Sequence, residues 1–107
     1  IRDFIHVSDL AIVHEKLLHK INKIKKSITL NVGYGFGTSV LEVVRSFEKY
    51  SKKKIKIIFY PKRKADLKQI IADNKKIKKF LNWRPKYNKL SIMVRSSISW
   101  EKKLFNL

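Results

Sequence analysis

Arg63 and Asp66 have the side-chain types and the spacing that suit a nucleotide ligand. A guanidinium can donate two parallel hydrogen bonds to a phosphate, and a carboxylate three residues later can accept hydrogen bonds from ribose hydroxyls. Arginine is scarce in this lysine-rich chain, so Arg2 and Arg84 stand out as well. The spacing of Arg63 and Asp66 also suits a local salt bridge, which the spacing alone favours over a ligand site.

A second candidate for ligand binding is a turn that contains the only glycines of the chain, Gly33, Gly35 and Gly37. A glycine turn followed by a helix N-terminus can hold an anionic group. However, the third glycine comes one residue too early for G-x-G-x-x-G, and lysines 52–54 stand where a dinucleotide site needs an acidic residue. The motif is therefore weak as a cofactor site, and alone it favours a turn that only reverses the chain.

Residues for acid–base, nucleophilic or metal chemistry are not arranged as those functions require. His14 and His19 are five residues apart on one predicted helix, and no carboxylate completes a metal triad. Two Tyr-x-x-x-Lys pairs, at positions 50–54 and 60–64, do not lie on continuous predicted helices, and a lysine-rich chain produces such spacings by chance. The absence of cysteine excludes disulfide and zinc-thiolate sites. We expect no catalytic residue and no metal ligand in this chain.

The charge of the chain is strongly positive. It has 26 lysine and arginine residues against 8 aspartate and glutamate residues, which gives a formal net charge of +18. Such a charge is typical of nucleic-acid-binding domains. Yet lysine occurs in nearly every segment, and the abundance of isoleucine and asparagine makes an A/T-rich genome an equally good cause. No RRM, KH or zinc-finger pattern is present. Solvated lysine faces are favoured, and a small nucleic-acid-binding module stays open as an alternative.

The length and composition of the chain suit one small domain. Its 107 residues are 44% apolar, which can supply a core. No apolar run is long enough to span a bilayer, so we expect no membrane partner, and the lack of cysteine fits a cytoplasmic protein. The chain starts at Ile1, directly in a strand-like segment, which predicts a fragment of a longer protein.

The apolar periodicity predicts strands that alternate with helices, the pattern of an α/β fold. The predicted strands cover residues 2–7, 28–32 and 54–60, with a short extended piece at 69–72. The predicted helices begin at four caps: Ser8 or Asp9, Ser39, Asp73, and Asn88. For the second helix, Ser39 and Glu42 have the S-x-x-E spacing of a capping box.

Four motifs, in this order and with matching spacings, resemble the carboxy-terminal part of UDP-glucose 4-epimerases, members of the extended short-chain dehydrogenase/reductase group. The motifs are Arg2-Asp3-Phe4-Ile5-His6-Val7-x-Asp9-Leu10-Ala11, Asn31-Val32-Gly33 through Ser39-Val40-Leu41-Glu42-Val43, Arg63-x-x-Asp66, and Leu81-Asn82-Trp83-Arg84-Pro85. Together they cover almost the whole chain. The helix start at Ser39 is more similar to the 4-epimerases than to the related dTDP-glucose dehydratases.

The resemblance implies that five residues bind a UDP-sugar. Arg2 and Arg63 would bind the diphosphate. Asp66 would accept from the uridine ribose, Val40 would line the uracil pocket, and Ile70 would lie near the hexose. The family's catalytic Tyr-x-x-x-Lys and its NAD-binding glycine motif lie upstream of the matched region. The resemblance thus implies that NAD binds in the full-length parent, and that this chain alone holds neither the cofactor nor the catalytic base.

We therefore predict a partial NAD-dependent epimerase fold of the α/β class. Residues 1–35 would form a strand-helix-strand edge of a Rossmann-type sheet, and residues 36–107 a small mixed α/β substrate-binding lobe. The resemblance implies that the parent interconverts UDP-glucose and UDP-galactose, or their N-acetyl forms, by transient NAD-dependent oxidation at C4. Its partners would be the UDP-sugar, the upstream half of the parent chain and a second copy in a homodimer; we expect no nucleic-acid partner. A fragment of a related nucleotide-sugar dehydratase stays open as an alternative.

Overall fold

The computed structural model describes residues 1–106 and is mostly helical. Its α-helices are α1 (Val7–Lys20), α2 (Val40–Ser51), α3 (Lys75–Leu81) and α4 (Leu90–Leu104). A short 3-10 helix, Ile21–Lys23, continues α1. Helices α2 and α4 pack against each other, and α3 contacts α1.

The start of α2 confirms the predicted capping box. The backbone N–H of Glu42 donates to Ser39 Oγ over 3.1 Å, and the N–H of Ser39 donates to Glu42 Oε2 over 2.7 Å. These two bonds satisfy backbone donors that a helix N-terminus leaves without an intrahelical partner. The bond from the N–H of Ser39 to Glu42 Oε2 also lowers the pKa of the Glu42 carboxyl, because it stabilises the ionised form.

The other predicted helix starts are wrong by one to three residues. His6 caps α1, since its Nδ1 accepts from the N–H of Ser8 over 3.0 Å. Asp9 does not cap that helix, because its carboxylate turns into the interior. The caps of α3 and α4 are Asn74 and Lys89, one residue beyond the predicted Asp73 and Asn88.

The predicted strands do not form within residues 1–106, so the strand-helix-strand edge is not shown in this part of the chain. The described pairings are two isolated bridges, an antiparallel one between Arg2 and Thr38 and a parallel one between Arg2 and Ile70. Alternating apolar residues give a segment one face to bury, but a strand also needs a neighbouring backbone to pair with. Residues 28–32 and 54–60 have no such neighbour among the described residues, and Phe59 is 84% exposed.

The core combines side chains from α1, the glycine turn, α3 and the segment that follows α3. Its buried members are Val13, Tyr34, Ile77, Leu81 and Trp83. The core thus joins side chains from the two predicted parts of the chain, residues 1–35 and 36–107. Its packing holds the glycine turn against α1.

A buried carboxylate fastens this core. Asp9 is fully buried and accepts from the Tyr34 hydroxyl over 2.6 Å and from the N–H groups of Lys86 and Tyr87 over 3.0 and 2.9 Å. Burial and the bond to Asp9 raise the pKa of the Tyr34 hydroxyl. The hydroxyl therefore stays protonated and donates a hydrogen bond to Asp9. That hydroxyl accepts in turn from the N–H of His6 over 3.0 Å. The first turn of α1, the glycine turn and residues 86–87 are thereby held together.

Replacing Asp9 should therefore destabilise the fold. Asp9→Ala leaves one buried and two partly buried donors without an acceptor, so we expect the free energy of unfolding to fall by about 3 kcal/mol. The matched control is Asp73→Ala, because Asp73 accepts only from the exposed N–H of Lys75 over 3.2 Å. Urea unfolding followed by the fluorescence of buried Trp83 measures both variants. Equal losses in the two variants would contradict this role of Asp9.

Candidate nucleotide-binding site

The backbone around Arg2 is hydrogen-bonded to segments on both of its sides. On one side, the N–H of Arg2 donates to Thr38 O over 3.0 Å, and the N–H of Thr38 donates back to Arg2 O over 2.8 Å. On the other side, the N–H of Ile70 donates to Ile1 O over 3.1 Å. Arg2 and Ile70 are therefore brought together directly. Val40 is connected to them only through the backbone, two residues after Thr38, and its side chain is largely exposed.

The side chain of Arg2 extends this connection to the loop that contains Arg63 and Asp66. Its Nη1 donates to Ile1 O over 2.8 Å and to Leu67 O over 3.0 Å. In that loop, Arg63 Nε donates to Asp66 Oδ2 over 2.8 Å, so the salt bridge that the spacing favours is confirmed. This contact uses Nε alone. The two terminal nitrogens of Arg63 make no hydrogen bond to any of the described residues.

Arg2, Arg63 and Asp66 form one charged cluster, because both arginines act on the Asp66 carboxyl. The hydrogen bond from Arg63 lowers the pKa of the Asp66 carboxyl, and the positive charges of Arg63 and Arg2 act in the same direction. The same bond raises the pKa of the Arg63 guanidinium. At neutral pH the loop thus presents an ionised carboxylate beside two permanent cations.

A cavity of about 470 Å³ opens beside Arg2, and Arg63, Asp66 and Val40 are not among the residues that line it. Its volume lies within the range of small-molecule sites. Arg2, Asp3, Leu30, Asn31, Ile70 and Ile71 are among the residues that line it. The lining therefore combines charged, polar and apolar residues.

Asp3 is a residue of this region that sequence reasoning missed. Its Oδ1 accepts from the N–H of Tyr34 over 2.9 Å, and its Oδ2 accepts from Gly35 and Ala72 over 2.9 and 3.2 Å. These donors lie 31, 32 and 69 residues away in sequence, so no local spacing could reveal them. The available signal was the position of Asp3 next to Arg2, inside the first motif.

The glycine turn does not fit a dinucleotide cofactor. Asp3 already accepts from the N–H groups of Tyr34 and Gly35, the kind of donor that a bound pyrophosphate would need. A Cβ at Gly33 would lie 2.5 Å from Ala72 Cβ and 2.6 Å from Asp3 Oδ2. Gly33 is therefore required for close packing within the chain. Gly35 adopts a φ of +82°, which glycine tolerates best.

Residues 1–106 offer neither a metal site nor a membrane span. No three histidine, aspartate or glutamate side chains are grouped so that they could hold a metal ion. No helix in this part of the chain is both long enough and apolar enough to cross a membrane.

The sequence profile of the family described as GDP-mannose 4,6 dehydratase matches residues 1–96. The chain belongs to this family. Among curated relatives, it is 42% identical over 104 residues to a UDP-glucose 4-epimerase of Azospirillum brasilense, and the match covers 97% of this chain and 30% of the relative. The predicted resemblance to UDP-glucose 4-epimerases is therefore confirmed at the level of sequence.

Solved structures extend the match to the fold. The UDP-Glc/GlcNAc 4-epimerase from Campylobacter jejuni superposes with a TM-score of 0.83 at 40% identity, over 96% of this chain and 31% of that one. The UDP-glucose 4-epimerase from Bifidobacterium longum, solved in complex with NAD+ and UDP, gives 0.82 at 36% identity, over 97% and 30%. The chain thus has the fold of part of an NAD-dependent epimerase. It spans about 30% of the length of these relatives.

The lysine surface is largely unneutralised because the carboxylates have other partners. Five of the eight acidic side chains accept from backbone N–H groups: Asp3, Asp9, Glu42, Glu48 and Asp73. The salt bridges within residues 1–106 join Glu15 to His19 and Asp66 to Arg63, so none involves a lysine. We expect this distribution to give a diffuse positive surface rather than an arranged phosphate-backbone site.

A diffuse surface predicts weak binding of nucleic acid. Duplex DNA should bind without sequence preference, and its affinity should fall steeply as salt rises, because binding would depend on counterion release. Fluorescence anisotropy with two unrelated duplexes at several salt concentrations measures this. Sub-micromolar affinity for one duplex alone at physiological salt would instead favour a nucleic-acid-binding module.

Proposed function

We propose that this chain is the carboxy-terminal nucleotide-sugar-binding part of a UDP-glucose 4-epimerase-like enzyme. The parent would interconvert UDP-glucose and UDP-galactose, or their N-acetyl forms, by transient NAD-dependent oxidation at C4. Residues 1–35 would belong to the edge of the cofactor domain and residues 36–107 to the substrate lobe. The observation that carries the proposal is the cluster of Arg2, Arg63 and Asp66, of which Arg2 lines a cavity.

The cluster has the groups that a nucleoside diphosphate requires. Asp66 holds Arg63 through Nε, so the two terminal nitrogens of that guanidinium can form a fork on the diphosphate. Arg2 is anchored through Nη1 to backbone carbonyls, and its charge would neutralise the second phosphate. Asp66 Oδ1 can accept from a ribose hydroxyl, and its lowered pKa keeps it ionised for that purpose.

Val40 and Ile70 would supply the apolar contacts. Val40 stands in the first turn of α2 and is 60% exposed, so a uracil ring could pack on it. Ile70 lines the cavity beside Arg2, where the hexose would lie. In this position it would influence whether glucose or N-acetylglucosamine derivatives are accepted.

The upstream half of the parent would cover the apolar surfaces that this part of the chain leaves open. Val7 and Leu18 on α1 are 72% and 67% exposed, and Phe59 and Tyr60 are among the most exposed side chains. Exposed apolar area of this kind marks a contact surface. NAD and the catalytic Tyr-x-x-x-Lys would belong to that half, and the assembled enzyme would be a cytoplasmic homodimer.

A dehydratase is the second candidate, because the matching family profile is described as GDP-mannose 4,6 dehydratase. The two reactions are distinguished by their products. A 4-epimerase returns an isomer of its substrate, whereas a dehydratase releases water and leaves a keto-deoxy sugar. Mass spectrometry of the nucleotide-sugar product therefore separates them, since a loss of the mass of water would support the dehydratase.

The proposal predicts that activity requires both halves. The 107-residue chain alone should not convert UDP-galactose even when NAD is added, because the cofactor site and the base belong to the upstream half. The complete polypeptide, in which the upstream half precedes this chain, should convert it. Coupled detection of UDP-glucose measures both, with a no-protein control. Turnover by the 107-residue chain above that control would overturn this division of roles.

Removal of the guanidinium of Arg63 should weaken UDP binding. A charge-assisted contact of this kind contributes on the order of 1.5–3 kcal/mol, or about ten- to a hundredfold in affinity. In the complete enzyme, Arg63→Ala should lose affinity for UDP by that order. Arg63→Lys should restore it only in part, because an ammonium group cannot form the fork. Titration calorimetry at one fixed salt concentration measures the dissociation constants.

Neighbouring lysines provide matched controls for Arg63. Lys62 and Lys64 are exposed and adjacent in sequence. Lys62→Ala and Lys64→Ala remove the same charge without removing a fork, so their affinity for UDP should change far less. Equal losses at all three positions would indicate a diffuse basic surface instead of a phosphate site.

A further inference from the structure

We infer that Asp3 is a positioning residue for the nucleotide site, and that it acts through Arg2 and Ile70 without contacting the ligand. The inference rests on the proposed function and adds to it a residue with no assigned role. Asp3 follows Arg2 in the segment that is bonded on both sides, and its carboxylate joins the same two sides a second time.

The geometry makes the Asp3 carboxylate a three-way connection. Oδ1 and Oδ2 accept from Tyr34 and Gly35 in the glycine turn, and Oδ2 also accepts from Ala72. Ala72 lies two residues after Ile70, whose own bond to the N-terminal segment is one N–H to Ile1 O. The carboxylate is therefore the second point that holds the Ile70 segment beside Arg2.

The connection requires an ionised aspartate at this position. Both oxygens accept, and Oδ2 accepts twice, so an amide would turn an NH2 group toward backbone donors in place of an acceptor. A longer glutamate would not fit easily, because Asp3 Oδ2 lies so close to Gly33 that a Cβ on that glycine would be only 2.6 Å away. Loss of this acceptor should let the Ile70 segment move away from Arg2 and widen the cavity between them.

The consequence for function is a loss of nucleotide affinity. Arg2 and Ile70 line one cavity with Asp3, and the Arg63 loop is hydrogen-bonded to Arg2 through Leu67. A displacement of the Ile70 segment would separate the groups proposed to bind the diphosphate from those proposed to lie near the sugar. In contrast, a residue with only a structural role would lower stability and leave the affinity of the folded protein unchanged.

The test compares Asp3→Asn with Glu48→Gln in the complete enzyme. Glu48 also accepts from a backbone N–H, that of Ile55 over 2.9 Å, but it uses one oxygen, which an amide retains. We expect the UDP dissociation constant, measured by calorimetry on the folded fraction, to rise about tenfold for Asp3→Asn and to stay unchanged for Glu48→Gln. The KM for UDP-galactose should rise in parallel, while kcat stays within about twofold of wild type.

A double variant tests whether Asp3 acts through Arg2. Arg2→Ala combined with Asp3→Asn should lose little more affinity for UDP than Arg2→Ala alone, because the two residues would serve one interaction. Fully additive losses would overturn the coupling. An unchanged UDP dissociation constant in folded Asp3→Asn would overturn the inference as a whole.

A measurement on the wild type keeps the inference testable if Asp3→Asn does not fold. Bound UDP should slow hydrogen exchange at the N–H groups of Tyr34, Gly35 and Ala72, which Asp3 holds, and should leave that of Ile55 unchanged. Equal rates with and without UDP at the three positions would contradict the inference. A wild-type enzyme that does not bind UDP would refute the proposed function itself, so the two failures are distinguishable.

Discussion

The backbone of Arg2 and the carboxylate of Asp3 impose the constraint on which the rest of the site depends. Arg2 exchanges two backbone hydrogen bonds with Thr38, and the carbonyl of Ile1 accepts from the N–H of Ile70. The Asp3 carboxylate then fastens both flanking segments again. Two consecutive residues thus determine where the glycine turn, the start of α2 and the Ile70 segment lie. All the groups of the proposed nucleotide site are placed relative to this short stretch.

The hydrogen-bond partners of the acidic residues explain both how the glycine turn is held and why the surface stays positively charged. In a chain of net charge +18, a carboxylate could pair with almost any neighbouring lysine. Instead, Asp3 and Asp9 each hold several long-range backbone donors, and Asp66 holds a guanidinium. Buried donors cost more when left unsatisfied than exposed ion pairs contribute, so this distribution favours the fold. No lysine within residues 1–106 forms a salt bridge, and their charges supply a general positive potential.

Features with a local physical cause could be predicted from sequence, and features that depend on distant partners could not. The capping box of Ser39 and Glu42 and the pairing of Arg63 with Asp66 each involve residues three apart, and both are present in the structure. The predicted strands at 28–32 and 54–60 do not form in the structure, because a strand needs a second backbone to pair with. An alternation of side chains cannot show whether that backbone is present. Asp9 was misassigned as a helix cap for the same reason, since its partners lie up to 78 residues away.

The proposed binding of UDP by Arg2 and Arg63 is tested most directly by the NMR signals of the arginine side chains. In the complete enzyme, with 15N-labelled arginine confined to residues 1–107, the chain contributes five Nε–H signals. Titration with UDP should shift those of Arg2 and Arg63 and leave those of Arg45, Arg84 and Arg95 in place. Unchanged signals of Arg2 and Arg63 at saturating UDP, or equal shifts of all five, would contradict the account.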